Sequence, residues 1–225
     1  MSAFSLNHFK HIECGSGGMI LTDDDALRYR AALFVDKCYQ REEGVRDPFF
    51  LAPNYQMTEL QAAVALAQLE RLPEIVQRRN RLGSRLDQAL AEIPGVSGQR
   101  VRPGDTHTYF YLFRLDLEKL GATAGQFSEA LSAEGIPNKA HLITGGMPVY
   151  RYRIFQQRSA FPSSTYPFGD RTYPAGLCPV ADEAFERWIT MDLFEHWSES
   201  DVDEIAHGIA KVAWHLARRR AAAPV

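Results

Sequence analysis

Apolar residues along this chain occur as short runs and as longer segments rich in alanine and leucine, a pattern that predicts strands and helices in mixed order. Residues 19–21 form a short apolar run that ends at Thr22, where a hydroxyl residue followed by three aspartates indicates a helix start. We therefore expect a strand and then a helix that runs to about Cys38. Residues 40–53 are charged and contain glycine and proline without any period, so they are predicted to form a loop.

The central part of the chain has the clearest helical pattern. Thr58 and Gln61 are spaced as a capping box ahead of an Ala/Leu-rich segment. Pro73 is suited to the first turn of a further helix, which would end near Ile93. We therefore predict two consecutive helices in this region.

The last third of the chain begins with a strand. Aromatic and aliphatic residues dominate residues 108–115, as they do in buried strands. Three further helices are predicted, over residues 124–134, 181–188 and 200–217. Ser200 is expected to cap the last of these, with acidic residues in its first turn.

The mixed order of these elements predicts an α/β fold. A long helix gives way to smaller strand and helix units near Pro94, which indicates a domain boundary there. We therefore divide the chain into residues 1–94 and residues 95–225.

Charge and composition exclude several classes of protein. The chain of 225 residues has 25 basic and 28 acidic residues, interspersed to a net charge of −3, so no basic face favours nucleic acid or an anionic membrane. Residues 1–10 lack a secretory pattern and no run of 18 apolar residues occurs, which predicts a cytoplasmic protein. The cysteines 14, 38 and 178 are too widely spaced to predict a metal site, so reduced thiols are expected.

A lysine, hydroxyls and glycines fall together near the amino terminus. Lys10 offers an amine of the kind that forms a covalent bond with a carbonyl cofactor, and Ser5 offers a hydroxyl to a phosphate oxygen. Gly15, Gly17 and Gly18 allow a sharp turn or a close approach of the backbone to a ligand. On these residues alone, a solvated surface lysine remains the alternative.

The whole pattern resembles the DegT/DnrJ/StrS-type family of sugar aminotransferases. The residues that carry the resemblance are Ser-x-x-x-x-Lys at residues 5–10, Gly-x-Gly-Gly at residues 15–18, and the segment Asn-Tyr-Gln-Met-Thr-Glu-Leu-Gln at residues 54–61. The similarity continues through residues 66–72, the region of His141, Cys178-Pro179 and residues 201–205. It implies part of a pyridoxal-phosphate (PLP)-dependent transferase fold of the aspartate aminotransferase type. Residues 1–94 would be the remainder of the PLP-binding large domain with long connecting helices, and residues 95–225 the small carboxyl-terminal α/β domain.

The resemblance also implies a role for individual residues. Lys10 would hold PLP covalently and would then move a proton between the substrate and the cofactor. Ser5 would bind the cofactor phosphate, and Asn54 would reach the phosphate of a neighbouring subunit, which implies a homodimer with a shared active site. Dehydratases of the family have histidine in place of this lysine, so Lys10 favours transamination. The expected substrates are a keto sugar linked to a nucleotide, or a keto cyclitol, with glutamate or glutamine as the amino donor.

Three residues are candidates for substrate binding. Gln56 stands where the family has an arginine, which removes a fork of donors for a carboxylate or phosphate. His141 stands near the family's substrate pocket, although a structural histidine in a turn is the alternative. Tyr150 belongs to an aromatic run that suits a sugar pocket, and packing is the alternative.

Family members have much more chain before the cofactor lysine. That part supplies an aspartate for the pyridine nitrogen and an aromatic residue that stacks on the ring. Residues 1–5 resemble an internal strand of the family, so we expect this chain to be a fragment. Two hypotheses follow, namely an enzyme that needs the preceding part, and a catalytically inactive remnant that acts as a dimerising or regulatory module.

Overall fold

The computed structural model describes residues 1–99, 101–102, 104–141 and 146–222. Contacts along the chain divide it into two compact units, Met1–Gln77 and Arg78–Val225. The division falls inside one long helix, so we describe each unit separately. The assignment of residues 1–94 and 95–225 to a large and a small domain stays a prediction.

The first unit begins with a hairpin and a helix. Strand β1 (Ser2–Ser5) pairs with β2 (Gly18–Leu21) in antiparallel register. Helix α1 (Asp25–Val35) follows, as predicted. Its N-cap is Asp24 rather than Thr22, because the Asp24 carboxylate accepts the hydrogen bond from the backbone N–H of Leu27.

Helix α1 ends earlier than residue 38, where we predicted its end. Lys37 and Cys38 adopt left-handed backbone conformations, with φ of 57° and 58°, which cannot continue a right-handed helix. The following residues, up to Thr58, contain only isolated bridges, which confirms the predicted loop.

Helix α2 (Glu59–Ala91) begins at the predicted capping box. The Thr58 hydroxyl accepts from the backbone N–H of Gln61 at 3.3 Å, and the Gln61 side chain accepts from that of Thr58 at 3.0 Å. The prediction of a separate helix at Pro73 is wrong, because Pro73 lies inside α2. Proline removes one backbone hydrogen bond, and the good helix formers on both sides outweigh that loss.

The second unit contains a four-stranded antiparallel sheet. Its strands are β3 (Val96–Gly98), β4 (Phe110–Leu115), β5 (Lys139–Ala140) and β6 (Trp188–Asp192), in the order β3-β4-β6-β5. Strand β4 confirms the predicted strand. Trp188, which we predicted as the end of a helix, instead begins β6, because it pairs with Arg114 of β4.

Helices connect and cover these strands. They are α3 (Leu117–Leu120), α4 (Ala124–Ala133), a short 3-10 helix (Val149–Arg151), α5 (Arg153–Gln156), α6 (Pro179–Arg187) and α7 (Glu199–Ala222). Helix α4 has the capping box formed by Thr123 and Gln126. The start of α7 is capped by Ser198 rather than Ser200, since the Ser198 hydroxyl accepts from the backbone N–H of Asp201.

One hydrophobic core fills the second unit. Alternate residues of β4, namely Tyr111, Phe113 and Leu115, are fully buried. Residues spaced four apart on α2 are buried in the same cluster, as are apolar residues of α4, β6 and α7. The mixed α/β architecture is therefore confirmed. Among the described residues no helix is both long and apolar enough to cross a membrane.

Candidate active site

Lys10 lies in the loop that joins β1 to β2. The ladder of the hairpin continues beyond Ser5, because the N–H of Leu6 donates to Gly17 O at 2.9 Å and that of His8 donates to Gly15 O at 3.2 Å. These bonds bring the two ends of the Lys10 loop together. The Lys10 side chain is half-buried in this loop, whereas the preceding Phe9 is 69% exposed.

The backbone ahead of Lys10 is in a rare conformation. Phe9 has a φ of 88°, which is unfavourable for a residue with a Cβ. The Glu13 carboxylate accepts the hydrogen bond from the N–H of Phe9 at 3.1 Å, and the N–H of Lys10 donates to Asn7 O at 3.1 Å. Such conformations persist only where surrounding bonds fix them, so the direction of the chain at Lys10 is well determined.

Ser5 lies at the end of β1 on the same hairpin. Its hydroxyl oxygen accepts a long hydrogen bond, 3.4 Å, from the backbone N–H of Asn7. Ser5 is exposed and its hydroxyl hydrogen is free to rotate, so it can donate to an anionic ligand.

The glycine turn of the hairpin packs against the start of α2. Cys14 Sγ lies 3.8 Å from Met57 Sδ, and the Gln61 side-chain amide donates to Ser16 O at 2.6 Å. A Cβ added at Gly17 would lie 2.7 Å from Cys14 Sγ and 2.8 Å from Met57 Sδ, so a larger residue there would have to displace these sulfur atoms. The two sequence motifs, around Lys10 and around Asn54, are thus in direct contact through these residues.

Asn54 lies on the segment that leads into α2. It forms an isolated bridge with Asp36, next to bonds from Lys37 N to Pro53 O and from Tyr55 N to Val35 O. Within the described residues the Asn54 side chain makes no hydrogen bond and is exposed, so its amide can reach a ligand. Gln56 is also exposed.

Asp36 holds the end of α1 at this bridge. Its buried carboxylate pairs with Lys37 Nζ at 2.5 Å and with the guanidinium of Arg41. Hydrogen bonds from Arg41 and then from Lys37 hold the pKa of Asp36 well below its usual range. The carboxylate therefore stays charged over the physiological range and holds the end of α1 to the side chain of Arg41.

His141 belongs to the second unit and follows β5. Its backbone N–H donates to Trp188 O at 3.0 Å, and its Nδ1 lies 2.9 Å from Phe185 O. A carbonyl partner requires a proton on Nδ1, so the neutral ring carries its lone pair on Nε2. The ring is exposed and the residue has a φ of 117°. Its fixed tautomer suits a hydrogen-bond acceptor at the surface.

Tyr150 also belongs to the second unit and is buried. Its hydroxyl donates to the Asp182 carboxylate, whose oxygens lie 2.8 and 2.9 Å away, and accepts from Gly176 N at 3.1 Å. Burial, and then the hydrogen bond to Asp182, raise the pKa of Tyr150. The hydroxyl thus has structural partners, and its role in substrate binding stays a prediction.

The structure divides the candidate residues between the two units. Lys10, Ser5, Asn54 and Gln56 lie in the first, and His141 and Tyr150 in the second. The hairpin of the first unit carries an amine and a hydroxyl, those of Lys10 and Ser5, which are groups of the kind that bind a phosphorylated aldehyde. Among the described residues there is no cluster of His, Cys, Asp or Glu that could hold a metal ion.

Sequence reasoning missed the residues that connect the two motifs. The sequence predicts only a reduced thiol at Cys14, and it places Met57 and Gln61 in the motif of residues 54–61, with Gln61 also in the capping box. The local pattern predicts the capping bond of Gln61, whereas its second bond, to Ser16, joins positions 45 residues apart. Only the register of the hairpin reveals that contact.

The chain matches the model of the DegT/DnrJ/EryC1/StrS aminotransferase family over residues 1–210. It is 26% identical over 222 residues to the spore coat polysaccharide biosynthesis protein SpsC of Bacillus subtilis (strain 168), covering 94% of this chain and 53% of SpsC. The chain thus spans about half the length of this curated relative.

Solved structures show the same fold. DesI, determined in the presence of its TDP-sugar product, superposes with a TM-score of 0.77 at 20% identity, covering 97% of this chain and 51% of DesI. The PLP-form of Spr1654 from Streptococcus pneumoniae gives a TM-score of 0.67 at 20% identity, covering 95% of this chain and 52% of that protein. The predicted partial PLP-dependent transferase fold is confirmed. Since the family model matches nearly the entire sequence, the chain belongs to the DegT/DnrJ/EryC1/StrS aminotransferase family.

Proposed function

We propose that this chain is the part of a PLP-dependent aminotransferase that carries the cofactor lysine, Lys10. The amino acceptor would be a keto sugar linked to a nucleotide, or a keto cyclitol, and the donor would be glutamate or glutamine. Family membership supports the reaction class, and the TDP-sugar named with DesI supports a nucleotide-linked acceptor. Since the matching model describes an aminotransferase family, the comparisons give no support to an inactive remnant.

The observation that carries this proposal is the contact between the two motifs. Gly17 fits against both Cys14 and Met57, and Gln61 holds the Ser16 carbonyl. This packing fixes the loop that holds Lys10 relative to the start of α2. A lysine that served only as a solvated charge would need no such support.

The residues of the first unit have distinct proposed roles. Lys10 would bond covalently to the carbonyl carbon of PLP and would later carry a proton to and from the substrate carbon. Ser5 would donate its hydroxyl to the phosphate. Asn54 would donate its amide to the phosphate bound by a second copy of the chain, in a homodimer. When bound, PLP supplies the electron sink for the transamination.

Three side chains are proposed to contact the substrates, two of them through hydrogen-bonding groups that are exposed. Gln56 presents an exposed neutral amide, which can bond hydroxyls or a carboxylate without the charge of an arginine. His141 presents Nε2 as an acceptor for a hydroxyl. Tyr150 would line the sugar side through its ring, since its hydroxyl is bonded to Asp182.

The test is covalent labelling of the full chain by PLP. The protein is mixed with PLP, its visible absorbance is recorded, borohydride is added, and the modified lysine is identified by peptide mass spectrometry. Lys10→Ala is compared with Lys139→Ala, because Lys139 is an exposed lysine on β5 in the second unit. We expect a visible band that borohydride removes, with the label on Lys10, in the parent chain and in Lys139→Ala but not in Lys10→Ala.

Two results would contradict the proposal. One is a label spread over several lysines, which would indicate ordinary surface reactivity. The other is an unchanged band in Lys10→Ala. Circular dichroism of each variant would show that the comparison is made between folded proteins.

A further inference from the structure

One segment of the second unit differs in charge from the rest of the chain. Residues 149–176 contain four arginines and a single acidic residue, whereas the chain as a whole has a net charge of −3. The segment includes the short 3-10 helix and α5, and then a long stretch without regular structure. This local positive charge would attract an anion.

Among the described residues, none of the four arginines of this segment forms an ion pair with a carboxylate, whereas several other arginines of the unit do. Arg79, Arg85, Arg114 and Arg187 each form an ion pair with a carboxylate. In the part of the chain that the structure describes, neither Arg158 nor Arg171 has a carboxylate oxygen within 4.0 Å. Arg158 is half-buried, and its Nη1 donates to Gly169 O at 3.1 Å. Its remaining N–H groups are available to a ligand.

Arg158 lies between two adjacent cavities. The first has a volume of about 480 Å³ and is lined by Arg158 together with the hydroxyl residues Ser159, Ser163, Ser164 and Thr165. The second has a volume of about 290 Å³ and is lined by Arg158, Arg171, Thr172 and aromatic residues. No acidic residue lines either cavity. Both are therefore lined by donors suited to an anion.

The hydroxyl groups retain donor capacity. Ser164 Oγ accepts from the N–H of Tyr166 at 3.1 Å, which leaves its hydrogen free to donate. Over the described residues, the hydroxyls of Ser159, Ser163 and Thr165 make no hydrogen bond within the protein. A tetrahedral oxyanion could accept from several of these groups at once.

The backbone of the segment is fixed in an unusual shape. Arg158 and Ser163 have left-handed conformations, with φ of 50° and 62°. The bond from Ser159 N to Ile154 O and that from Ser164 N to Phe161 O hold these turns. In the same segment the rings of Phe155, Phe168 and Tyr173 pack together, with centroids 5.3 to 6.2 Å apart. Strain of this kind is concentrated at binding sites.

We propose that Arg158, Arg171 and the hydroxyls of residues 159–172 form a binding site for the phosphate groups of a small molecule. Guanidinium groups bind phosphate oxygens in a bidentate way, and the two cavities on either side of Arg158 suit a ligand with more than one phosphate. The site would hold such a ligand whether or not Lys10 binds PLP. Its identity as the anionic end of the amino acceptor rests on the function proposed above.

The test is calorimetric titration of the full chain with pyrophosphate at low ionic strength. We expect saturable binding that weakens about tenfold or more in Arg158→Gln, and also in Arg171→Gln. Arg153→Gln is the matched control, because it removes the same charge from the same segment and lies outside both cavities. Lys10→Ala should bind pyrophosphate as the parent chain does, so this result is independent of the PLP labelling.

Two further ligands identify the source of the phosphate. Stronger binding of uridine diphosphate than of glucose 6-phosphate would assign a nucleotide-linked ligand, and the reverse order would assign a phosphate monoester. Absence of saturable binding for all three ligands would overturn the proposal. So would an equal loss in Arg153→Gln and Arg158→Gln, since it would show attraction by net charge alone. If Arg158→Gln does not fold, Arg171→Gln, whose side chain is exposed, decides in the same way.

Discussion

The two units of the chain use their apolar residues in opposite ways. In the second unit, the alternating residues of β4 are buried in one cluster with three leucines from the last part of α2, Leu82, Leu86 and Leu90. In the first unit, Phe4 of β1 and all the large apolar residues of β2 are exposed. The motifs around Lys10 and Asn54 nevertheless lie in this first unit, so most of the buried core and the proposed cofactor chemistry belong to different parts of the sequence.

The stability of the chain and its proposed ligand binding therefore depend on different units. A sheet with one face covered by helices gains most of its stability from the area that it buries. A two-stranded hairpin with exposed faces is marginal on its own. We therefore expect substitutions in the second unit to change the free energy of unfolding, and substitutions in the first unit to change ligand binding.

The largest expected effect comes from the core. Phe113 is fully buried on β4 and Phe4 on β1 is 52% exposed, so Phe113→Ala and Phe4→Ala remove the same side chain from the two settings. We expect Phe113→Ala to lower the free energy of unfolding by about 3–5 kcal/mol, and Phe4→Ala to lower it by less than about 1 kcal/mol.

Tryptophan fluorescence during urea unfolding measures the unfolding of the second unit. All three tryptophans, at positions 188, 197 and 214, lie in the second unit. A comparable loss of unfolding free energy in the two variants would contradict this expectation, because it would mean that the hairpin unfolds together with the core.

Glycine positions give a smaller effect. Gly83 of α2 faces the buried His107, and a Cβ at residue 83 would lie 2.4 Å from the imidazole ring. That ring is 2.9 Å from Gln99 Nε2 and 3.3 Å from an Asp87 oxygen, so it has little room to move. We expect Gly83→Ala to lower the free energy of unfolding by about 1–3 kcal/mol.

Gly125 of α4 provides the control for this substitution. The nearest atom to its added Cβ is Thr123 Oγ1 at 3.7 Å, so Gly125→Ala introduces no clash and favours the helix by up to about 1 kcal/mol. The melting temperatures of the two variants should therefore shift in opposite directions from that of the parent chain. A Gly83→Ala protein as stable as the parent would show that His107 is not fixed by its neighbours.

The sequence predicted the elements whose signals are local. The capping box of Thr58 and Gln61 rests on residues three apart, and α2 begins where these residues indicate. The failures involve distant partners. Trp188 belongs to a strand because it pairs with Arg114, 74 positions earlier, and β5 is only two residues long. No local pattern contains that information.

The candidate site likewise has features that the sequence predicts and features that depend on tertiary contacts. The Lys10 and Asn54 motifs could be recognised from the sequence, because residue types at fixed spacing carry the resemblance. The packing of Gly17 between Cys14 and Met57, and the bond from Tyr150 to Asp182, depend on tertiary contacts. The unpaired state of Arg158 within the described chain is also invisible in the sequence, since it depends on where the carboxylates lie.

The smallest expected effect is electrostatic and compares one ion pair from each unit. In the second unit, the guanidinium of Arg187 on α6 makes two hydrogen bonds of 2.7 Å with Glu118 on α3. These bonds lower the pKa of Glu118 from 4.5 to about 2. A carboxylate with a lowered pKa in the folded state stabilises the protein fully above its unfolded pKa, and this contribution disappears as the pH falls toward the folded value. The melting temperature should therefore fall between about pH 5 and pH 2, and less steeply in Arg187→Gln.

Arg41→Gln in the first unit is the matched variant. Arg41 lowers the pKa of Asp36 in the same direction, yet both residues lie in the unit that contains no tryptophan. Melting followed by tryptophan fluorescence should therefore have the parent pH profile in Arg41→Gln and a flatter profile in Arg187→Gln. If Arg41→Gln flattened the profile as strongly, the stability of the second unit would depend on the ionisation of Asp36. The two units would then have to be treated as a single cooperative structure, because an ion pair far from the tryptophans in sequence would control their unfolding.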